Sequence, residues 1–166
     1  MRRLMSISVF VLLASFVCAG RTIPADVTFD PVDSKLLPSN HVKCLYQDSE
    51  GFVWIGTNNG LARYDGTNVI SYSSYLQEYS FLSEVIEDSD GRLLLATDKG
   101  LVILDKVTGR AEAMVDGIAV SSLSKDPDGN IWAGGEDGLF VRPADGEAFA
   151  KVEVMISGEP LEGVID

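Results

Sequence analysis

A repeat constrains this chain more than any other feature. Three segments of the 166-residue sequence, 42–72, 82–114 and 120–152, carry the same anchors in step. Asp48, Asp88 and Asp126 are each followed three residues later by a glycine: Gly51, Gly91 and Gly129. Three residues further come Trp54, Leu94 and Trp132. Six residues beyond those stand Gly60, Gly100 and Gly138, trailed by Leu61, Leu101 and Leu139. The spacing is 40 residues and then 38. A unit this short cannot cover its own apolar face, so copies must stack and bury one another's.

Each unit reads as strands. In the first, residues 42–47, 52–56, 61–64 and 68–72 alternate apolar and polar side chains or are rich in β-branched and aromatic residues. That is the period-two pattern of strands. Turn-forming stretches separate them: Asp48-Ser49-Glu50-Gly51, Thr57-Asn58-Asn59-Gly60 and Asp65-Gly66-Thr67. Asp and Asn bond their own turns, and glycine takes positive φ without strain. Four strands per period of this length make a propeller blade. The expected fold is all-β: an incomplete β-propeller of about three four-stranded antiparallel blades, behind a helical signal peptide. The repeats are expected at 41–78, 79–116 and 117–158. Residues 159–166 read as the start of a truncated fourth, because Leu161-Glu162-Gly163-Val164-Ile165-Asp166 is similar to Leu82-Ser83-Glu84-Val85-Ile86-Glu87. Residues 20–40 form a lead-in, with 27–29 a candidate strand to complete the last blade.

Residues 1–19 read as a signal peptide. Arg2 and Arg3 are a basic start, residues 4–16 are an apolar run, and Val17-Cys18-Ala19 offers small residues for cleavage. The alternative is a membrane anchor, but the uncharged run of about 17 residues lies at the bottom edge for a span of ~20. Export leaves Cys44 as the remaining cysteine, so no internal disulfide is expected. Its strand position suits a small buried apolar group. The whole sequence has 13 Lys+Arg against 25 Asp+Glu, a net charge of −12. Removing the signal takes away two arginines and brings the charge near −14. Such an acidic segment is a poor partner for nucleic acid or an anionic membrane face.

Little here points to catalysis. His41 is the single histidine and no Gly-x-Ser-x-Gly elbow is present, so a nucleophilic triad is not expected. The Asp-x-Asp-Gly loops at 88–91 and 126–129 lack the later bidentate Glu of an EF-hand and read as hairpin turns. No metal and no cofactor are expected. Most acids fall in turns, which weakens a paired-carboxylate glycosidase reading. Trp54 and Trp132 share a repeat column at a core position. Tyr64, Tyr72, Tyr75 and Tyr79 are better candidates for exposure. Tyr75 and Tyr79 lie in the connection between two blades and are the candidate ligand-binding residues.

The first repeat is specific enough to resemble a family. A Val-x-x-Leu strand leads to Asp48-x-x-Gly51, then Phe52-Val53-Trp54-Ile55-Gly56-Thr57, Asn59-Gly60-Leu61 and Arg63-Tyr64-Asp65-Gly66. This looks like the two-component regulator propeller repeat, and Leu37-Pro38-Ser39-Asn40-His41-Val42 is similar to that family's entry into its first blade. The second repeat departs at Leu94 and Ala96, and the third at Gly135. The structural repeat positions are Asp48, Gly51, Trp54, Gly60, Asp88, Gly91, Gly100, Asp126, Gly129, Trp132 and Gly138. The resemblance implies the N-terminal part of a periplasmic sensor of a hybrid two-component system, one that responds to glycan fragments and regulates polysaccharide utilisation. It implies a carbohydrate ligand, further blades of the same chain as partners, and an inner-membrane anchor with kinase domains elsewhere in the full-length protein. The segment itself is expected not to be an enzyme. The rival readings are a propeller lyase or hydrolase, and a small secreted module that closes a ring as a homodimer.

Overall fold

The computed structural model describes residues 34–76 and 78–153, with the backbone of strand residues 155–156 and 159–160. The expected signal peptide, the strand at 27–29 and residues 161–166 lie outside the described residues. The described chain is all-β. Twelve strands form three four-stranded antiparallel sheets, each in chain order. Blade 1 holds β1 (Val42–Gln47), β2 (Val53–Thr57), β3 (Gly60–Tyr64) and β4 (Val69–Ser71). Blade 2 holds β5 (Leu82–Glu87), β6 (Leu93–Thr97), β7 (Gly100–Leu104) and β8 (Ala111–Asp116). Blade 3 holds β9 (Val120–Lys125), β10 (Ile131–Gly135), β11 (Gly138–Arg142) and β12 (Ala150–Val152). A short hairpin follows, β13 (Met155–Ile156) paired with β14 (Glu159–Pro160). Single 3-10 turns occupy Ser34–Leu36 and Ser73–Tyr75.

Local chemistry makes the blades alike. The second hairpin of each joins its strands through a two-residue turn, closing Thr57 on Gly60, Thr97 on Gly100 and Gly135 on Gly138. In the first two blades the threonine hydroxyl donates to the glycine carbonyl, at 2.8 and 2.7 Å. The third has Gly135 there, and a Cβ at that position would run into the Ala119 carbonyl. Blade 3 has closed the space the threonine fills elsewhere. The first strand of every blade carries a bulge one residue from its start, at Lys43, Ser83 and Ser121. A bulge bends its strand and sharpens the twist. Its repetition gives the three first strands one shape, and they pack side by side, β1 with β5 and β5 with β9.

The core lies between blades. Trp54 and Leu61 of blade 1 meet Val85, Leu93, Leu95, Val102 and Leu104 of blade 2. The opposite face of blade 2, with Leu94, Ala96, Leu101 and Ile103, meets Leu123, Ile131, Ala133 and Phe140 of blade 3. Each fully buried leucine contributes about 1.5–3 kcal/mol over exposure, so two such seams hold the stack.

The fourth strand of blade 1 is shorter than the expected 68–72. The backbone N–H of Tyr72 still bonds Leu61, but the chain then turns into the 3-10 segment. Tyr72 swings its ring onto Trp54, edge to face at 4.9 Å. Tyr72 is therefore core and not the exposed aromatic expected from sequence. Trp132 departs the other way. Trp54 is fully buried, whereas Trp132 is half-buried, because among the described residues no sheet covers the face it occupies.

Candidate functional site

The repeated aspartates organise each blade before they do anything else. Asp48, Asp88 and Asp126 each open the first hairpin turn, accepting backbone N–H groups from two and four residues on. The paired glycines Gly51, Gly91 and Gly129 sit at φ 91, 76 and 88°, where L side chains are strained. Ordinary hairpin chemistry thus accounts for the Asp-x-Asp-Gly loops. The other carboxylate oxygen reaches along the sheet. It accepts the indole N–H of Trp54 at 2.8 Å and of Trp132 at 2.9 Å. In blade 2, where Leu94 replaces the indole, Arg92 Nε donates to Asp88 at 3.1 Å.

The same oxygens also hold one blade to the next. Lys106, in the turn after β7, reaches back from blade 2 to Asp48 Oδ2 of blade 1 at 3.2 Å and also holds Glu87 Oε1 of its own blade at 2.6 Å. Glu87 in turn accepts the Ser49 backbone N–H at 2.7 Å and its hydroxyl at 3.1 Å. Arg142, at the end of β11, reaches from blade 3 to Asp88 Oδ2 at 3.4 Å. Glu84 of blade 2 accepts the Leu123 backbone N–H at 2.6 Å. Burial alone would raise the Asp48 and Glu87 carboxyls. Hydrogen bonds from Trp54 and Lys106 at Asp48, and from Lys106 and Ser49 at Glu87, outweigh it and hold both below their ordinary values. Burial would likewise lower Lys106, and its two carboxylate partners raise it instead. All three groups are therefore charged at neutral pH.

A cleft of about 500 Å³ opens between blades 2 and 3. Its walls carry Asp90, Arg92, Glu112, Arg142, Asp145 and Glu147. Arg92 is tied to Asp88 at 2.9 Å and Asp90 at 2.8 Å, and Arg142 is buried. Four carboxylates and two guanidinium groups give acceptors and donors in one concavity, a lining suited to a hydroxyl-rich ligand. Sequence reading did not single out Lys106, Glu87, Arg142 or this cleft. The only signal was a basic residue near the end of the third strand in repeats two and three, in columns two residues apart.

The candidate tyrosines fall into different surroundings. Tyr75 is 52% exposed, with one edge against Gly109 in the 105–110 turn of blade 2. Tyr79 is half-buried against the seam between blades 1 and 2. Neither lines the cleft. Tyr64 is half-buried and donates to the Gly66 carbonyl at 2.7 Å. His41 is exposed at the start of β1, its backbone N–H bonded to the Ser39 hydroxyl at 3.1 Å. Burial pushes the Cys44 thiol up to about 11, so it stays protonated at neutral pH and is a weak nucleophile. Among the described residues, no three His, Cys, Asp or Glu side chains are placed to hold a metal ion. Among the same residues, no helix is long and apolar enough to cross a membrane.

Comparison with known proteins agrees with this architecture. The sequence family described as the two component regulator propeller matches residues 36–59 and 115–137. These segments contain β1 and β2 of blade 1, and β9 and β10 of blade 3. No curated protein matches the chain. Among solved structures, the chain is similar to the extracellular domain of the candidate hybrid two component system BT4673 from B. thetaiotaomicron, with a TM-score of 0.61 and 23% identity over 77% of this chain. A second structure, of the extracellular domain of BT4673 described as a one component system, gives 0.58 and 26% over 68%. The chain spans only 18% and 16% of those structures. The described blades thus share the fold of these extracellular domains, and parts of blades 1 and 3 are similar to the two component regulator propeller family.

Proposed function

We propose that the chain forms the opening blades of an extracellular, ligand-sensing propeller in a hybrid two-component system. The observation that carries this is the double match to the regulator propeller family, on blades stacked as in the extracellular domains of such systems. The role is binding and mechanical coupling, without catalysis by these residues. Lys106 on Asp48 and Arg142 on Asp88 tie each blade to the one before, so displacing one blade strains its neighbour. The ligand class is a glycan fragment. The mixed-charge cleft between blades 2 and 3 and the exposed ring of Tyr75 are surfaces suited to sugar hydroxyls and a sugar face. The protein acts in the periplasm, with the full-length polypeptide anchored in the inner membrane.

Titration calorimetry of the intact extracellular region against a panel of oligosaccharides tests the reading. Saturable binding of one glycan class, with no cleavage of it, is the expected result. Cleavage of the titrant would replace the sensor with a propeller hydrolase or lyase. Failure of the whole panel would remove glycans as the ligand class.

A further inference from the structure

The cation that joins each pair of blades is housed differently in the two seams. Between blades 1 and 2, the Lys106 ammonium sits between two carboxylates, Asp48 and Glu87. Glu87 is held by three donors, the Lys106 ammonium and the backbone N–H and hydroxyl of Ser49. The seam between blades 2 and 3 keeps such donors and lacks the acid. Ser89 occupies the column of Ser49, and Arg142 reaches Asp88 as Lys106 reaches Asp48. Both line the cleft. The column of Glu87 holds Lys125 in blade 3. Among the described residues, nothing accepts the backbone N–H or the hydroxyl of Ser89. Arg142 is only 5% exposed, yet its two bonds, at 3.5 and 3.4 Å, go to one Asp88 oxygen that also takes Arg92 Nε at 3.1 Å. A guanidinium has five donors, and burying them under-bonded is costly.

We infer that the cleft between blades 2 and 3 binds a ligand carboxylate where the first seam has Glu87, and that the ligand is a glycan fragment carrying a single uronic acid. The inference rests on the glycan reading above and names the kind of sugar. Ser89 and Arg142 supply charge-assisted hydrogen bonds to the carboxylate. The acids of the cleft walls set the rest of the specificity. Asp90 is paired with Arg92, and Glu112 with Arg110. Asp145 and Glu147 are exposed, so they accept sugar hydroxyls and repel a second anion. A fragment with a uronate or sulfate on every sugar is therefore disfavoured.

Calorimetric titration of the intact extracellular region tests this with matched pairs of oligosaccharides, each pair differing by one uronate, and with acetate as the carboxylate alone. Two variants accompany it. Ser89→Pro removes both serine donors and leaves the hairpin intact, since Pro127 holds this column in blade 3 behind the same aspartate turn. Lys125→Glu returns an acid to the column of Glu87, where it should occupy the donors from within the chain. In one pair the uronate member should bind at least about tenfold tighter than its neutral partner, the worth of a charge-assisted hydrogen bond. Ser89→Pro and Lys125→Glu should each abolish that preference and leave neutral binding unchanged, and Lys125→Glu should also raise the thermal midpoint. Equal binding within every pair would overturn the inference while the glycan reading stands. A uronate preference that survives both variants would place the carboxylate elsewhere and overturn it too. Acetate binding as tightly as the uronate sugar would remove the sugar from the ligand. No binding by any sugar would remove the glycan reading and this inference together.

Discussion

Blade 2 and blade 3 are built from the same repeat and differ in what surrounds them. Every residue of β6 and β7 is buried, on both faces of the sheet. In β10 burial alternates, with Ile131 and Ala133 inside and Trp132 and Gly134 half-exposed. Blade 1 is the mirror case. Leu45 is 66% exposed, while Val85 and Leu123, which occupy its column in blades 2 and 3, are 2% and 6% exposed. A residue's column gives it a direction, and the presence of a neighbouring blade decides whether that direction is dry. Stability in a stack of repeats is accordingly a sum of unit terms and neighbour interfaces.

Leu94→Ala should break this comparison most strongly. Leu94 is fully buried in the seam between blades 2 and 3, and truncation should cost about 4 kcal/mol as lost transfer energy plus a cavity. Leu139→Ala, on the half-open face of blade 3, should cost about 1–2 kcal/mol, since water already reaches part of that side chain. Urea denaturation of the two variants reads the difference directly. Equal costs would mean that the face of blade 3 is as dry as that of blade 2.

Lys106→Met comes next. It strands Asp48 and Glu87 in the first seam, and should cost about 3 kcal/mol, the lower end for breaking a buried pair. The exposed carboxylate of Glu50, 3.9 Å from the ammonium, shows that water is close enough to soften the loss. The clasp also has a pH signature. Asp48 and Glu87 are lowered in the folded state, so their contribution is present above the ordinary carboxylate values and is lost as pH falls below them. Lys106 is raised, so its contribution is present below 10.5 and is lost as pH rises through its folded value. Thermal midpoints should form a plateau that drops at both ends, and Lys106→Met should shrink the alkaline drop to the part that the raised Cys44 thiol contributes.

The period, the strands of the first blade and the turn residues were legible because each rests on local chemistry. Glycine at positive φ, aspartate in its own turn and period-two patterning need no knowledge of neighbours. The fate of the aromatic residues was not legible in the same way. Tyr72 looks like a strand-end surface residue until its ring is seen against Trp54. Trp132 looks identical to Trp54 until its half-exposed ring is set beside the fully buried one. The clasps were hidden for a related reason. Lys106 and Arg142 perform one task from two columns, two residues apart in the repeat, so aligning anchors cannot pair them. The cleft joins two blades, and its acids lie in turns that read as solvated loops.

Glycines in one column sharpen the comparison further. A Cβ at Gly56 would strike Cys44 Sγ and come into ordinary contact with Leu82 and Val85 of blade 2, at 3.4 and 3.7 Å. At Gly134 it would meet only the Ser122 hydroxyl, at 2.8 Å, with no contact from a second blade. Gly56→Ala should therefore cost about 2 kcal/mol by overpacking. Gly134→Ala should cost under about 1 kcal/mol, since a surface hydroxyl rotates away. Matching losses in urea would place a blade's worth of packing over Gly134.

The smallest effect belongs to Leu45→Ser. The side chain is 66% exposed in the first strand of blade 1, on the face turned away from blade 2. Removing it from water's reach recovers little, so the midpoint in urea should move by less than about 0.5 kcal/mol. The two blades in register with it give the opposite expectation, because Val85 and Leu123 are shielded by a preceding blade. A large loss at Leu45 would therefore report a structure packed on blade 1, and would make its outer face equivalent to the seams inside the stack. An unchanged midpoint with improved solubility would leave that face as an open apolar edge. The column would then contain both fates, exposed in blade 1 and buried in blades 2 and 3, from one and the same sequence pattern.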